Sequence, residues 1–290
     1  MRLIKNSPLA PYIELAKPRI VTMVLVTAAI GFVLGAQGEG SMLVLGFTLI
    51  GTAMTAGGAS VLNQYIERDC DLRMERTKRR PLPAGIVSPA NALGYGLALV
   101  LGGVVLLVAT VNLLTAFLGL LTAFLYVLVY TPMKRLSWLN TLIGAVPGAI
   151  PPLGGWAAAT GRLDLGAWVL FGILFLWQHP HFYAIAWMFK EDYARGGFKM
   201  LPVIEPDGRS TFRQIVLFAV VLIPVSVLPT VIGLSGWFYA VGAVLLGVWM
   251  LGRCLTLAKS GTLLDARRVL RASIVYLPLL LGLILADYGF

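Results

Sequence analysis

Residues 63–85, NQYIERDCDLRMERTKRRPLPAG, hold ten of the 36 charged side chains of a 290-residue chain and lie between two long apolar runs. Asn63, Glu67 and Asp71 fall at i, i+4 and i+8. A helix that enters from the preceding apolar run and continues for two turns therefore stacks an amide and two carboxylates on one face. Arg68, Arg73, Arg76, Lys78, Arg79 and Arg80 accompany them, and Pro81 and Pro83 stop the helix from absorbing these cations. Carboxylates at fixed spacing bind hard divalent cations such as Mg2+, and arginines grip phosphate oxygens bidentately, so the stretch suggests a metal-bridged diphosphate. The competing reading is a solvated loop whose arginines only set membrane topology, and charge content does not separate the two.

The setting is a membrane. With 58% hydrophobic and 12% charged residues and a mean hydropathy of +0.85, the chain has too little polar surface for a water-soluble domain. Apolar runs near the bilayer-spanning length of about 20 residues recur throughout. The spans expected are 20–36, 42–62, 89–109, 112–131, 138–158, 165–187, 214–233, 236–256 and 269–287. They make an all-α bundle of nine transmembrane helices, a single domain over residues 1–290. Of the 23 Lys and Arg residues, 22, from Arg2 and Lys5 through Arg271, fall on one side and only Arg162 on the other. The positive-inside rule then puts the N-terminus in the cytoplasm and the C-terminus outside. The net charge of +10 is thereby assigned to orientation and to headgroup or phosphate contact, and no nucleic-acid partner is expected. The first 20 residues show neither a cleavable signal nor a transit pattern, so a prokaryotic inner (plasma) membrane is the simplest address. Cys70 and Cys254 lack CxxC spacing and are expected to stay reduced.

Lys17 and Arg19 flank Pro18 at the start of the first span and are expected at headgroup depth. Gly51, Thr55, Gly57, Gly58 and Ala59 let the second helix approach its neighbours closely and suggest a central position for it, and Gly94, Ala98 and Gly102 suggest a packing stripe on the third. Tyr126 and Tyr130 stand one turn apart above Lys134 and Arg135, either as interface anchors or as walls of a cavity in which aromatic faces stabilise a cation. Asn140, Pro147, Pro151 and Pro152 are expected to interrupt the fifth helix. Gln178, His179 and His181 form a costly polar patch in the sixth, expected to face an interior site, with Tyr183 one turn beyond His179. Two histidines two residues apart point in different directions on a helix, and each is either a hydrogen-bonding core residue or a ligand. Glu191 and Asp192 follow at the same membrane side as Asp71. The acidic loops after helices 2 and 6 are thus expected to face one pocket.

These residues resemble the UbiA-type intramembrane prenyltransferases and, within them, the protohaem IX farnesyltransferase (haem O synthase) branch. Residues 63–85 resemble the first Asp-rich motif with its RTxxRPLPxG tail. YTPMKRLSWLNTLIGAVPGAIPPLGGW, starting at Tyr130, and WQHPHFYAIAWMFKEDYARGGFKMLPV, starting at Trp177, resemble stretches of the haem branch. The resemblance implies transfer of a farnesyl group from farnesyl diphosphate to a vinyl group of haem b, giving haem o. It also implies Mg2+ as cofactor and terminal-oxidase assembly or haem A synthase downstream. Asn63, Glu67 and Asp71 would hold the metal, with Arg76, Arg80, Lys134 and Arg135 as counter-charges. His181, His179, Tyr126, Tyr130, Asn140, Tyr183 and Asp192 would line the substrates. Two departures stand out: Glu67 replaces the usual Asp, and the second motif has Pro180, His181, Glu191 and Asp192 in place of a spaced aspartate pair. A prenyltransferase acting on an aromatic quinone precursor shares the first motif but does not need the histidines of helix 6. A transporter would carry its charges near the midplane, and a haem-binding structural subunit has no use for RTKRRPLP.

Overall fold

A computed structural model describes residues 7–288; Arg2 and Lys5 lie outside them. Among these residues nine helices are long and apolar enough to cross a membrane: α1 (Pro18–Ala36), α2 (Met42–Asp71), α3 (Pro89–Thr110), α4 (Leu113–Leu136), α5 (Asn140–Thr160), α6 (Leu165–Met188), α7 (Arg209–Val231), α8 (Trp237–Ser260) and α9 (Leu263–Ala286). All nine match or exceed the expected lengths: α2 does run on for two turns past residue 62, and α7 and α9 begin four or more residues earlier than hydropathy alone suggests. Their first two turns carry Arg209, Arg213, Arg267 and Arg268, charges that a hydropathy window rejects and a helix end at the headgroups accepts. Side-chain caps fix several starts: Ser41, Ser88, Asn112 and Thr262 each accept a backbone N–H three residues on, supplying partners for donors that a helix leaves orphaned.

The centre of the bundle is α5 and α6, not α2. In their most apolar windows 61% and 56% of the residues are buried, against 33% for α2 and 28% for α3. Helix α5 is also unbroken, running through Pro147, Pro151 and Pro152. Small neighbours let it do so: Gly31 of α1 lies on the Pro152 carbonyl and Gly155 of α5 on the Ala28 carbonyl, so α1 and α5 touch backbone to backbone. Contact this close adds dispersion where lipid offers no hydrophobic drive. Outward faces carry exposed Leu101, Val105, Phe117, Leu120, Leu245 and Val248, as a lipid-facing surface requires.

Helices α2 and α3 cross on a glycine pair, though not the expected one. A Cβ on Gly58 would come within 2.7 Å of the Gly96 carbonyl oxygen and 2.8 Å of Val100, while one on Gly94 would meet nothing within 4 Å. Gly96 and Gly103 are buried and Gly94 and Ala98 exposed, so the expected stripe faces outward at 94 and 98 and meets α2 only at half-buried Gly102, against Met54. Sequence spacing finds a small-residue stripe on α3 but not which of two adjacent stripes meets α2. Gly58→Ala is expected to lower stability by about 1–3 kcal/mol, as overpacking does, and Gly94→Ala to be neutral or slightly stabilising, read by thermal unfolding in detergent.

Candidate active site

The charged end of α2 is where polar groups converge. Asn63, Glu67 and Asp71 share one stripe and are all buried. Lys134 Nζ of α4 lies 2.7 Å from Glu67 Oε1, and Arg80 Nη1 donates to Asp71 Oδ2 at 2.8 Å. Lys17 Nζ donates to Asn63 Oδ1 at 3.1 Å, and the Asn63 amide N–H donates to Thr131 Oγ1 at 2.9 Å. Three basic side chains thus converge on two carboxylates and an amide. Asp71 Oδ1 is buried without a hydrogen bond, and Glu67 Oε1, although at ion-pair distance from Lys134, receives no aligned one. Buried carboxylate oxygens left this way cost free energy unless something else occupies them.

Local structure explains the convergence. Thr77 Oγ1 donates to the Asp71 carbonyl at 2.9 Å, ending α2, and successive turns through residues 72–85 bring Arg80 back onto Asp71. Lys17 was expected among the headgroups; instead its backbone is left-handed, φ +52°, and its amine is turned inward. Burial, and after it the nearby Arg80 and Lys134, lower its pKa to about 7. A left-handed residue other than glycine is uncommon and strained. Nothing in the K-P-R spelling announces this contact, which depends on packing between α1 and α2.

In α4 the segment Leu125–Tyr130 is a π-helical turn, a feature frequent at functional sites. Thr131 Oγ1 donates to the Tyr126 carbonyl at 2.7 Å, using the widened turn, and accepts from Asn63. Tyr126 and Tyr130 stack at 5.5 Å and 30°, and Lys134 Nζ sits 4.7 Å from the Tyr130 ring centre. Both tyrosines therefore stand beside the charge cluster. One turn deeper, Ala59 and Ala56 of α2 border a narrow pocket of about 40 Å3, closed by Val24, Leu118, Ala123 and Ile150.

The two acidic loops do meet, through Asp192. Its Oδ1 accepts the Glu75 N–H at 2.8 Å and its Oδ2 the Arg76 N–H at 3.3 Å, and Arg195 donates to Oδ1 at 2.7 Å. Burial alone would raise the Asp192 pKa, but Arg195 and the two backbone N–H groups outweigh it and leave it lowered. Asp192 braces the first loop.

Other candidates are less central. Arg76 is exposed, its guanidinium over Phe189 and Tyr193. Arg135 is exposed and donates to the Ile66 carbonyl. Asn140 is fully buried, its amide donating to the Ser137 and Lys199 carbonyls, which makes it a strut between loops. The expected polar patch of α6 splays over three neighbours: Gln178 donates to Ala145 of α5, His179 stacks on Phe218 of α7, and His181 bonds Ser273 of α9. Tyr183 is buried beside His179 at 6.2 Å.

Among the described residues no three or more His, Cys, Asp or Glu side chains are grouped to hold a metal. Asp71, with one buried oxygen that has no partner, and Glu67 and Asn63, whose oxygens face Lys134 and Lys17, fit a Mg2+ ion that keeps other ligands from a bound phosphate, the usual way this ion binds. Residues 24–280 match the sequence profile of the UbiA prenyltransferase family. The chain belongs to that family. Among its UbiA relatives, the protoheme IX farnesyltransferase of Solibacter usitatus (strain Ellin6076) is 50% identical over 285 residues, 95% of this chain and 98% of its own length. The UbiA fold is seen again in a solved digeranylgeranylglyceryl phosphate synthase, with a TM-score of 0.81 at 17% identity over 97% of this chain and 98% of that one. A UbiA homolog from Archaeoglobus fulgidus bound to GPP and Mg2+ superposes with a TM-score of 0.66 at 14% identity, covering 94% of this chain and 99% of that one. The protein is a multi-pass membrane prenyltransferase.

Asp192→Ala is expected to release the first loop. Hydrogen exchange at the Glu75 and Arg76 amides should quicken about 10–100-fold, the loss of bonds to a charged acceptor being about 1.5–3 kcal/mol, while amides in the middle of α5 keep their protection.

Proposed function

We propose that this protein transfers the farnesyl group of farnesyl diphosphate to a vinyl group of haem b, forming haem o. What carries the reading is the buried set of Asn63, Glu67 and Asp71 facing Lys17, Arg80 and Lys134, in a chain half identical to a protoheme IX farnesyltransferase. That identity also disfavours an aromatic quinone precursor as acceptor. Held by Asn63, Glu67 and Asp71 together with phosphate oxygens, Mg2+ would neutralise charge on the departing diphosphate.

The chain's own residues do the rest. Lys17, Arg80 and Lys134 are within reach of the same buried space and exchange carboxylate for phosphate oxygens when diphosphate enters; Arg76 and Arg135 add positive potential at the rim. Ionisation leaves an allylic farnesyl cation. The stacked faces of Tyr126 and Tyr130 stabilise it by roughly 0.5–2 kcal/mol each, and the small-residue pocket under Ala59 receives the start of the prenyl chain away from water. A haem vinyl carbon then attacks, and water adds to the cation formed beside the porphyrin, leaving a hydroxyl there and releasing its second proton to solvent. No protein nucleophile is needed. His181 serves the acceptor side.

The 22-to-1 distribution of cations supports a plasma-membrane protein whose site opens to the cytoplasm, with the haem o product passed to haem A synthase or terminal-oxidase assembly.

Purified protein incubated with haem b, Mg2+ and farnesyl diphosphate should yield a product heavier by one farnesyl group and one hydroxyl; absence of that mass refutes the reading. In the same assay Asp71→Asn should lose at least a hundredfold in turnover with its fold intact, while Arg73→Gln, an exposed charge, should stay within about threefold of wild type. His181→Ala should lower haem affinity and leave farnesyl diphosphate affinity unchanged. Were His181 only a packing residue, the variant would instead lose about 1–3 kcal/mol of stability at unchanged turnover per folded molecule.

A further inference from the structure

The two imidazoles of α6 are alike at Nδ1 and unlike at Nε2. His179 Nδ1 lies 2.7 Å from the Phe175 carbonyl oxygen, which can only accept, so Nδ1 carries the proton and Nε2 the lone pair. That Nε2 is buried with no partner, the residue is 0% exposed, and its ring lies flat on Phe218 at 3.6 Å. That nitrogen is shut inside the bundle.

At His181 the partner of Nδ1 is Ser273 Oγ, 2.8 Å away. The serine's single proton goes to the Leu270 carbonyl at 2.8 Å, so its oxygen accepts and His181 Nδ1 donates. The Trp177 indole N–H donates to the Ser273 carbonyl at 2.8 Å, and its ring stacks on His181 at 5.1 Å and 29°. Phe182 packs edge-on at 5.2 Å. The imidazole is thus fixed in tautomer and in plane, while His181 is only half-buried and its Nε2 meets no protein partner among the described residues. Three residues along a helix is about 300°, so His181 falls about 60° from Gln178. It lies between the α6 faces that meet α5 and α9.

Resting on the haem reading above, we propose that Ser273 is a positioning residue: it holds the His181 imidazole in its Nδ1–H form so that Nε2 offers a lone pair to the iron of haem b. A propionate carboxylate is itself an acceptor and is not matched by a lone pair, which separates the iron from the porphyrin's acidic groups as the partner. Hydrogen-bond partners of this kind fix ring orientation and ligand basicity, and losing one costs about 10–100-fold in metal affinity.

The test titrates haem b, and separately metal-free protoporphyrin IX, into full-length protein in detergent, for wild type, Ser273→Ala and Ser273→Thr, recording absorption spectra. Ser273→Ala should weaken haem b about 10–100-fold, shift the Soret band from its wild-type position and leave metal-free porphyrin binding unchanged; Ser273→Thr, which keeps the hydroxyl, should restore both affinity and band. Equal loss for the two porphyrins, or a wild-type band in Ser273→Ala, overturns the inference. If Ser273→Ala does not fold, His181→Gly decides: added imidazole should return the wild-type band, and no return overturns the inference. A wild-type protein that makes no farnesylated product from haem b fails the functional reading itself. One that turns haem b over with a spectrum indifferent to Ser273→Ala fails only the role given to Ser273.

Discussion

Two buried carboxylates and three half-buried basic side chains meeting at one end of a hydrophobic bundle set the terms for everything around them. Charges moved out of water need partners of opposite sign, and removing one member leaves the rest uncompensated at a cost of several kcal/mol. Glu67 and Asp71 come from α2, Lys17 from the residue before α1, Lys134 from α4 and Arg80 from the loop after α2. Four separate stretches of chain must therefore arrive together. The close crossing of α2 on α3 at Gly58 and the backbone contact of α1 with α5 at Gly31 and Gly155 keep these stretches near enough for hydrogen bonds under about 3 Å.

The positive excess also gives the site its preference. An anion entering it meets Lys17, Arg80 and Lys134 already aimed inward, so little reorganisation accompanies binding. The tyrosine faces next to Lys134 follow from the π-helical turn, which rotates the last residues of α4 relative to the regular helix before it. Chemistry at the charged end and apolar accommodation below Ala59 thus share the α2–α4 seam.

Much of this was legible in the sequence. The i, i+4, i+8 spacing placed Asn63, Glu67 and Asp71 on one face because a helix has a fixed period, and hydropathy found all nine spans. Hydropathy missed the charged first turns of α7 and α9, and prolines misled at α5, where three of them sit in an unbroken helix because glycines and alanines nearby leave room. Lys17 was hidden: a lysine before a proline is spelled the same whether it faces headgroups or Asn63, and only helix packing decides. The same holds for α3, where two adjacent small-residue stripes differ in nothing that composition records. The α6 patch was seen as polar and interior, but the division of Gln178, His179 and His181 among three helices depends on tertiary arrangement that no local spacing encodes.

The brace at Asp192 joins loops 117 residues apart in the chain through hydrogen bonds between protein groups alone. Ordering a backbone costs about 1–2 kcal/mol per residue, and for the segment around Glu75 and Arg76 that cost is met when the protein folds. Diphosphate capture then proceeds on a surface that is already shaped, and the entropy that a floppy loop would lose at the moment of encounter does not weaken affinity. The half of the molecule that carries the histidines thereby shapes the loop that follows Asp71.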